Sequence, residues 1–372
     1  MSNIKIIANY LPQFHVIPEN NEWWGEGFTD WEASKRSEPL YTKHKQPRIP
    51  LNRHYYDLSN VNEIRWQAEL ASKYNIYGFG IYHYWFSPRQ NLLHKPAELI
   101  RDNLDVNIHY MFIWDNASWA RTWSDSRFNN DWAPKYDGGV EKKENNSVLA
   151  ELIYGEKKDW GKHFEYLLPF FLDERYIKID NKPIFGFFQP NNEFDIIKDM
   201  STYWNELAIK AGFDGIICMT RDNWQGDKLK YSFKYAPALY GDKWQSAKIK
   251  IRKMINKKIG RPYIYDYDQR WKRILEDAEK SHRHTFLSGF VDFDDTPRRA
   301  IDATIAEGGT PFKFYKYMKK LMEISLEQEK EYVFVTAWNE WGESAYLEPD
   351  MINGYGYLEF LKKAVDEVNA TQ

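Results

Sequence analysis

This chain of 372 residues has one cysteine, no long apolar run and little net charge. A lone Cys218 excludes an internal disulfide and a cysteine-rich zinc site. No run of about 18 apolar residues occurs, so no segment is expected to cross a bilayer as a helix. The formal net charge of -3 gives no general attraction to nucleic acid, and no nucleic-acid partner is expected. Residues 1–7 lack the basic segment and apolar core of a signal peptide, so we expect a cytoplasmic protein.

Aromatic residues, by contrast, are abundant. They make up 17% of the chain, with 16 Trp and 26 Tyr. Core packing does not usually call for so many, because buried Trp and Tyr need partners for their polar tips. Carbohydrate-binding clefts use such rings as stacking platforms, so a sugar ligand is one interpretation. Packing of the rings beneath loops is the other.

Eight short runs rich in β-branched and aromatic residues alternate with stretches of helical character. This alternation predicts parallel βα units, and eight strands can close a (β/α)8 barrel. We therefore predict an α/β fold, a single (β/α)8 TIM barrel over residues 1–372, with long βα loops forming an aromatic cleft and a basic insertion at about 243–283. The predicted strands are 5–10, 78–85, 109–115, 183–189, 215–220, 235–240, 286–293 and 332–338.

Three helices are predicted from caps and apolar spacing. The first begins after Asn60, which can cap it, with Glu63 completing a capping box, and it ends near Asn75. The second covers residues 162–173 and the third residues 312–327, because both show apolar residues at helical spacing.

Two carboxylates three residues apart follow the last predicted strand. They are Glu340 and Glu343, flanked by Trp338 and Trp341. Glycosidic bonds are usually broken by a pair of Asp or Glu side chains, one handling a proton and the other supporting the developing positive charge. The alternative is a solvated turn or a first helical turn, where acids favour the helix dipole. Because the pair follows the last barrel strand, we favour catalysis.

Polar and aromatic residues follow most of the other predicted strands or lie in the long loops. Since functional groups of βα barrels gather at the carboxyl ends of the strands, these residues are predicted to bind substrate. They are Tyr10, Gln13, His15, Trp23, Trp24, Glu26, Asp30, His83, Trp85, Asp115, Trp119, Arg121, Asp294, Asp295, Arg298, Trp338, Asn339 and Trp341. No cluster has metal-ligand spacing, so neither a metal nor another cofactor is expected.

Residues 248–261 carry seven Lys or Arg and no acid, with interleaved apolar residues. Such a segment can contact an anionic polysaccharide, a lipid-linked glycan or a membrane surface. A solvated helix explains the same composition, and we favour it.

Five short sequence motifs carry a family resemblance: YLPQFH at 10–15, WWGEGFTDW at 23–31, YHYWF at 82–86, WNEWGE at 338–343, and LEP at 347–349. With them, nearly the whole chain resembles the WbsX-like family of bacterial surface-polysaccharide proteins. That family is often described as glycosyltransferases and resembles the endo-α-mannosidase group, glycoside hydrolase family 99.

The resemblance implies a barrel with both catalytic carboxylates in the loop of the last strand. It implies that Glu340 acts as a base on the substrate 2-hydroxyl, which attacks the anomeric carbon to give a 1,2-anhydro sugar. Glu343 would then act first as acid and afterwards as base, so that configuration is retained. An acid working near neutral pH needs a raised pKa, which a like-charged neighbour and desolvation by the tryptophans can supply. The expected substrate is an α-linked mannose-like sugar of a surface oligosaccharide or polysaccharide.

Two positions depart from the family pattern. Ala117 stands where an acidic residue is expected, with Asp115 two residues earlier, and Asp294-Asp295 stands where Asp-Asn is more usual. Both changes lie at the predicted cleft and therefore bear on substrate choice.

Two other functions stay open at this point. A glycosyltransferase of the same pathway is one, although the chain has no Gly-rich phosphate loop, and the Asp-x-Asp letters at 292–294 fit a cleft-lining or ion-paired role better. A non-catalytic sugar-binding protein is the other, because Ala117 replaces an expected acid.

Overall fold

The computed structural model describes residues 3–120, 148–189, 193–221, 229–238, 252–256 and 258–371. In these ranges eight parallel strands pair side by side in chain order, and the first also pairs with the last. The predicted (β/α)8 TIM barrel is therefore confirmed. Its strands are β1 (Lys5–Tyr10), β2 (Ile76–Ser87), β3 (His109–Trp114), β4 (Lys182–Phe187), β5 (Ile217–Arg221), β6 (Tyr231–Phe233), β7 (Thr285–Phe290) and β8 (Tyr332–Thr336).

The prediction of a sixth strand at 235–240 is wrong. Ser232 and Phe233 of β6 pair with both β5 and β7. Pro237 lacks the N–H that an interior strand must donate, so the pairing ends before it. The last two residues of the predicted strand, 239–240, lie outside the described ranges.

Helices occupy the connections between the strands. Their bounds are α1 (Pro18–Trp24), α2 (Asp30–Arg36), α3 (Val61–Lys73), α4 (Lys95–Asp102), α5 (Lys157–Leu172), α6 (Phe194–Lys210), α7 (Tyr267–Glu279), α8 (Thr296–Arg299), α9 (Pro311–Glu327) and α10 (Gly356–Ala370). Short 3-10 turns lie at Leu51–Arg53, Ala300–Asp302 and Trp341–Glu343. None of the helices in the described ranges is both long and apolar enough to span a membrane.

The three predicted helices are present as α3, α5 and α9. Asn60 caps α3 by accepting a hydrogen bond from the Asn62 N–H at 3.0 Å. The predicted capping box is wrong, because the Glu63 carboxylate lies 2.8 Å from the His54 ring. Helix α5 begins five residues earlier than predicted, where Glu156 and Asp159 form a capping box of their own.

Minor strands decorate the barrel. Gln90–Leu92 pairs with β2, Lys178–Ile179 with β4, Trp119–Ala120 with Val148–Ala150, Tyr263–Asp266 with Thr304–Glu307, and Asn339–Glu340 with Ala345–Tyr346.

Helix α7 falls within the range predicted as an insertion, yet it packs on the barrel, with Trp271 stacked on Phe290 of β7 at 5.3 Å. Of the basic segment, only 252–256 and 258–261 are described, so contact with a membrane or lipid-linked glycan stays a prediction.

Many of the aromatic rings form the core. The largest fully buried side chains include Trp114, Trp204, Trp271, Trp338 and Trp341. Packing therefore explains a good part of the aromatic content, while other rings line the cleft.

Candidate active site

A cleft of about 400 Å³ opens at the carboxyl ends of the barrel strands. Both Glu340 and Glu343 line it, although Glu340 is only 4% exposed. Its other lining residues are Leu11, Gln13, Trp24, Tyr82, Tyr84, Asp115, Ala117, Ser118, Trp119, Leu149, Phe188, Gln189, Tyr235, Arg298 and Arg299.

The loop after β8 turns sharply and so presents both glutamates to this cleft. Strand β8 ends at Thr336, Asn339–Glu340 forms a short antiparallel pair, and Trp341–Glu343 makes a single 3-10 turn. Asn339 anchors the loop to the end of β1, because its side chain accepts from the Leu11 N–H at 2.7 Å and donates to the Leu11 carbonyl at 3.0 Å. The backbone of the loop is thus held before any ligand arrives.

Beneath the loop, Trp341 is tied to the barrel. Its ring stacks on Tyr346 at 3.7 Å, and its indole N–H donates to the Glu348 carboxylate at 2.7 Å. Glu348 also accepts from Gln67 at 2.7 Å and Tyr56 at 2.9 Å. Burial raises the pKa of Glu348 to about 7, although these hydrogen bonds act in the opposite direction.

Arg298 of α8 joins the two glutamates. Its Nη2 lies 3.1 Å from Glu340 Oε2 and its Nη1 lies 2.9 Å from Glu343 Oε1. Nε and Nη2 also contact Asp30 of α2, at 3.3 and 3.1 Å. A planar guanidinium with five N–H donors suits such a multiple contact. One buried cation therefore holds three carboxylates.

Gly342 makes room for this arrangement. A Cβ at that position would lie 2.5 Å from Arg298 Nε and 2.7 Å from Asp30 Oδ2. The Gly342 N–H instead donates to the same Asp30 oxygen at 3.2 Å. Only glycine lets the ion pair pack directly on the loop backbone.

The pKa of Glu340 is raised to about 8, chiefly by burial; Arg298 opposes this shift, whereas Glu343 and Asp30 contribute to it. For Arg298 itself, burial would lower the pKa, but Asp30, Glu340 and Glu343 raise it well above its ordinary value. The raised pKa favours the protonated form of Glu340, whereas Arg298 stays charged. The raised pKa that was expected of the acid lies instead on Glu340, the residue that the resemblance makes the base.

The wall formed after β3 carries a second acid. Burial raises the pKa of Asp115 to about 6, against the opposing effects of Arg221 and a hydrogen bond from Trp119. Ala117 lines the same wall. Among the described residues of this wall, the acid is Asp115, two residues before the position where the family pattern places one.

Three tyrosines that the sequence prediction missed also line the cleft. Tyr82 and Tyr84 are two residues apart along β2 and so face the same side, and the Tyr82 hydroxyl donates to the Tyr235 hydroxyl at 3.0 Å. The two-residue period of a strand could have identified the first two. Tyr235 could not be identified, because the sequence places the sixth strand too late in the chain.

The structure brings together part of the predicted set. Glu340 and Glu343 are joined in the cleft by Gln13, Trp24, Asp115, Trp119 and Arg298. Arg121 lies outside the described residues. The other predicted residues do not line the cleft; they are Tyr10, His15, Trp23, Glu26, Asp30, His83, Trp85, Asp294, Asp295, Trp338, Asn339 and Trp341.

Most of these residues support the cleft from behind. Tyr10 is buried and donates to Gln67 at 2.7 Å. His83 contacts His163 at 2.8 Å, and Trp85 stacks on His163 at 4.4 Å. His15 bonds the Pro12 carbonyl at 2.9 Å, the Trp338 ring packs on Phe79 at 5.2 Å, and the Trp23 ring packs against Trp119 at 6.0 Å.

The acidic residues after β7 also face inward. Asp294 is bound by His44 at 2.9 Å and Gln46 at 2.7 Å, and its N–H donates to the Glu343 carbonyl at 2.7 Å. Asp295 pairs with Arg299 at 2.9 Å. Glu26 is exposed and accepts from Asn21 at 3.1 Å. Asp294 and Asp295 are therefore placed to support the cleft rather than to contact substrate, and Glu26 lies outside the cleft.

Comparison with known proteins agrees with this architecture. The family model described as Glycosyltransferase WbsX matches residues 6–361. The uncharacterized protein WxcX of Xanthomonas campestris pv. campestris strain B100 is 25% identical over 376 residues, which cover 97% of this chain and 49% of WxcX. WxcX from a second strain matches to the same extent. The chain thus spans about half the length of the curated relatives it matches.

Among solved structures, the GH99 endo-alpha-mannosidase from Bacteroides thetaiotaomicron superposes with a TM-score of 0.58 at 12% identity, covering 100% of this chain and 98% of that chain. A glycoside hydrolase-like protein superposes with a TM-score of 0.53 at 11% identity, covering 98% and 94%. At such identities the likeness concerns the fold.

Proposed function

The chain belongs to the WbsX glycosyltransferase family, and from that premise we propose that it is a retaining glycosidase or transglycosidase. Its proposed substrate is an α-linked mannose-like sugar in a bacterial surface polysaccharide. One observation carries the proposal: Glu340 and Glu343 lie on a single turn after β8, face one cleft, and contact different nitrogens of the same guanidinium.

In this proposal Glu340 is the base toward the substrate. It removes the proton of the 2-hydroxyl while that oxygen attacks the anomeric carbon, and the bond from the anomeric carbon to the leaving oxygen breaks. Glu343 gives its proton to the leaving oxygen. Burial makes Glu340 a strong base once it is ionised, because a base becomes stronger as its pKa rises.

The second step reverses these proton movements. Water, or a sugar hydroxyl in a transfer reaction, loses a proton to Glu343 and attacks the anomeric carbon. The bond from that carbon to the 2-oxygen breaks, and Glu340 returns its proton to the 2-oxygen. Two inversions give net retention, and both glutamates regain their starting states.

The cleft offers aromatic faces and polar groups for the sugar. Trp119 and Phe188 line the cleft with partly exposed rings that can stack against the apolar face of a pyranose, while Gln13 and Gln189 can bond hydroxyl groups. Each of these side chains lines the same cleft as the two glutamates, so one bound sugar chain could contact both sets.

A glycosyltransferase is the second candidate, because the matching family model carries that description. The same pair of glutamates would then act on a sugar with an activated leaving group. The two candidates differ in donor and acceptor, which an assay separates.

The test is hydrolysis of an activated aryl α-mannoside by the parent chain and by Glu340→Gln and Glu343→Gln. We expect each substitution to lower kcat/KM by about 10²–10⁴-fold, the usual range for loss of a general acid or base. Glu26→Gln is the matched control, since Glu26 is exposed and does not line the cleft.

Three results would contradict the proposal, either in its mechanism or in its function. Undiminished turnover in both variants would remove the glutamates from the mechanism. Thermal stabilisation by a nucleoside diphosphate sugar without hydrolysis would favour transfer. Binding of an oligosaccharide without any turnover would favour a sugar-binding protein.

A further inference from the structure

Three carboxylates and one guanidinium meet in the buried floor of the cleft. Arg298 contacts Asp30, Glu340 and Glu343, all within 3.3 Å, while its own side chain is only 8% exposed. Asp30 is fully buried. If all three acids were ionised, one guanidinium would face three negative charges, two of them on the buried Asp30 and Glu340, which is costly. One of the three carboxylates must therefore take up a proton more readily than the others.

Asp30 is the acid most firmly engaged. It receives hydrogen bonds from two guanidinium nitrogens and from the Gly342 N–H. Glu340 receives one contact from Arg298, at 3.1 Å. The geometry thus divides the positive charge of one arginine unequally between Asp30 and Glu340.

We propose that Asp30 and Arg298 form a positioning pair that sets the ionisation of Glu340 and thereby the pH range in which Glu340 acts as a base. Arg298 favours the charged form of Glu340. Asp30 limits that effect, because it takes two of the four contacts between the guanidinium and the three carboxylates and adds a negative charge. The catalytic consequence rests on the proposed function, whereas the effect on ionisation does not.

The other groups that the described part of the chain places near Glu340 are an acid and three tyrosines. Glu343 faces it from the 3-10 turn, Tyr82 and Tyr84 from β2, and Tyr235 from the segment after β6. Burial raises the pKa of all three tyrosines well above the ordinary value, so they stay neutral over the working pH range. Among the described residues that contact the Glu340 carboxylate, the cation is Arg298.

Opposite charges at positions 298 and 30 predict opposite effects of their removal. In Arg298→Met the ionised form of Glu340 loses its counter-ion, so its titration moves to higher pH. In Asp30→Asn the guanidinium becomes free to favour Glu340, so the titration moves to lower pH. If Asp30 and Arg298 only supported the fold, the two substitutions would shift the titration of Glu340 in the same direction or not at all.

The titration can be measured without an activity assay. The stability difference between a chain with Glu340 and the same chain with Glu340→Gln falls as pH rises above about 4.5, because the folded state holds the proton more tightly than the unfolded state. The difference becomes constant once pH exceeds the folded-state pKa of Glu340. Urea unfolding between about pH 4 and 10 yields this pH in the parent, Arg298→Met and Asp30→Asn backgrounds.

We expect that pH to rise by about one unit or more in Arg298→Met and to fall by a similar amount in Asp30→Asn. Arg299→Met is the matched control, since that side chain lines the same cleft but is 49% exposed and pairs with Asp295. Shifts in the same direction, or no larger than in Arg299→Met, would overturn the proposal. If Arg298→Met does not fold, a shift to higher pH or none in Asp30→Asn overturns it alone.

Activity then separates this inference from the proposed function. If the chain is a glycosidase, the acid limb of its kcat/KM profile moves with the stability-derived pH in each background. The expected stability shifts in a chain that hydrolyses no sugar would support the pair and contradict the enzyme. Loss of hydrolysis in Glu340→Gln, with no shift of the stability-derived pH in Arg298→Met and Asp30→Asn, would support the enzyme and contradict the pair.

Discussion

Replacing Gly342 by alanine tests whether the ion pair of Arg298 and Asp30 lies directly on the loop after β8. The added methyl would lie 2.5 Å from Arg298 Nε, 3.0 Å from Arg298 Cζ and 2.7 Å from Asp30 Oδ2. Comfortable contact requires about 3.5–4.0 Å, so the pair must move by about 1 Å. Three carboxylates hold the guanidinium, and a shift of that size breaks at least one contact.

The expected cost follows from two contributions. Forcing a methyl into a packed site costs about 1–3 kcal/mol. Losing one hydrogen bond between charged groups adds about 1.5–3 kcal/mol. We expect the Gly342→Ala chain to lose about 3–5 kcal/mol of unfolding free energy. With an unfolding entropy of about 2.1 cal/mol/K per residue, this corresponds to a fall in Tm of roughly 4–6 °C.

Differential scanning calorimetry and urea unfolding measure this loss. Gly161→Ala is the matched control, because Gly161 lies inside α5 and its added methyl meets nothing nearer than the Tyr203 hydroxyl, at 3.6 Å. There the gain in helix propensity is expected to stabilise the chain by about 0.5–1 kcal/mol. A Gly342→Ala chain as stable as the parent would refute the close packing of Arg298 and Asp30 on the loop.

Three further outcomes are expected. Asn339→Ala removes both hydrogen bonds to Leu11 and should lower the unfolding free energy in urea by about 2–4 kcal/mol. Activity should show a fall in kcat rather than a rise in KM, and an unchanged stability would contradict the anchoring role. The pKa of Glu348 is raised to about 7, so the folded state holds this proton more tightly than the unfolded state, and the parent loses stability as pH rises from about 4.5 to 7. Relative to the parent, the unfolding free energy of Glu348→Gln should therefore rise by about 3 kcal/mol over that interval. A difference that stays flat or falls would contradict the raised pKa. The pKa of Asp115 is raised to about 6, so Asp115→Asn should change kcat/KM more above pH 6 than below it, and an effect independent of pH would argue against a role for its charge.

The barrel could be predicted from the sequence because each strand is a local pattern. Seven of the eight predicted strands overlap observed barrel strands, and helices α3, α5 and α9 lie where apolar spacing indicates them. The sixth strand is the exception. Only three residues, 231–233, form it, and the aromatic run at 235–240 is misleading because Pro237 interrupts it.

The two glutamates could be predicted for a similar reason. Glu340 and Glu343 belong to one turn, so their convergence depends on a few consecutive backbone angles and on the end of β8. The substrate-contact residues are harder to predict. A position just after a strand lies at the correct end of the barrel, but whether its side chain faces the cleft depends on how each loop packs.

Local pattern was therefore sufficient for the eight-stranded architecture, the end of the barrel that carries the cleft, and the two glutamates. The charge state of Glu340 could not be predicted from local pattern. Asp30 and Arg298 lie 268 residues apart in the chain, and they meet only because α2 and α8 both pack against the loop after β8. Burial and neighbouring charge set a pKa, and both quantities exist only once distant segments have been brought together.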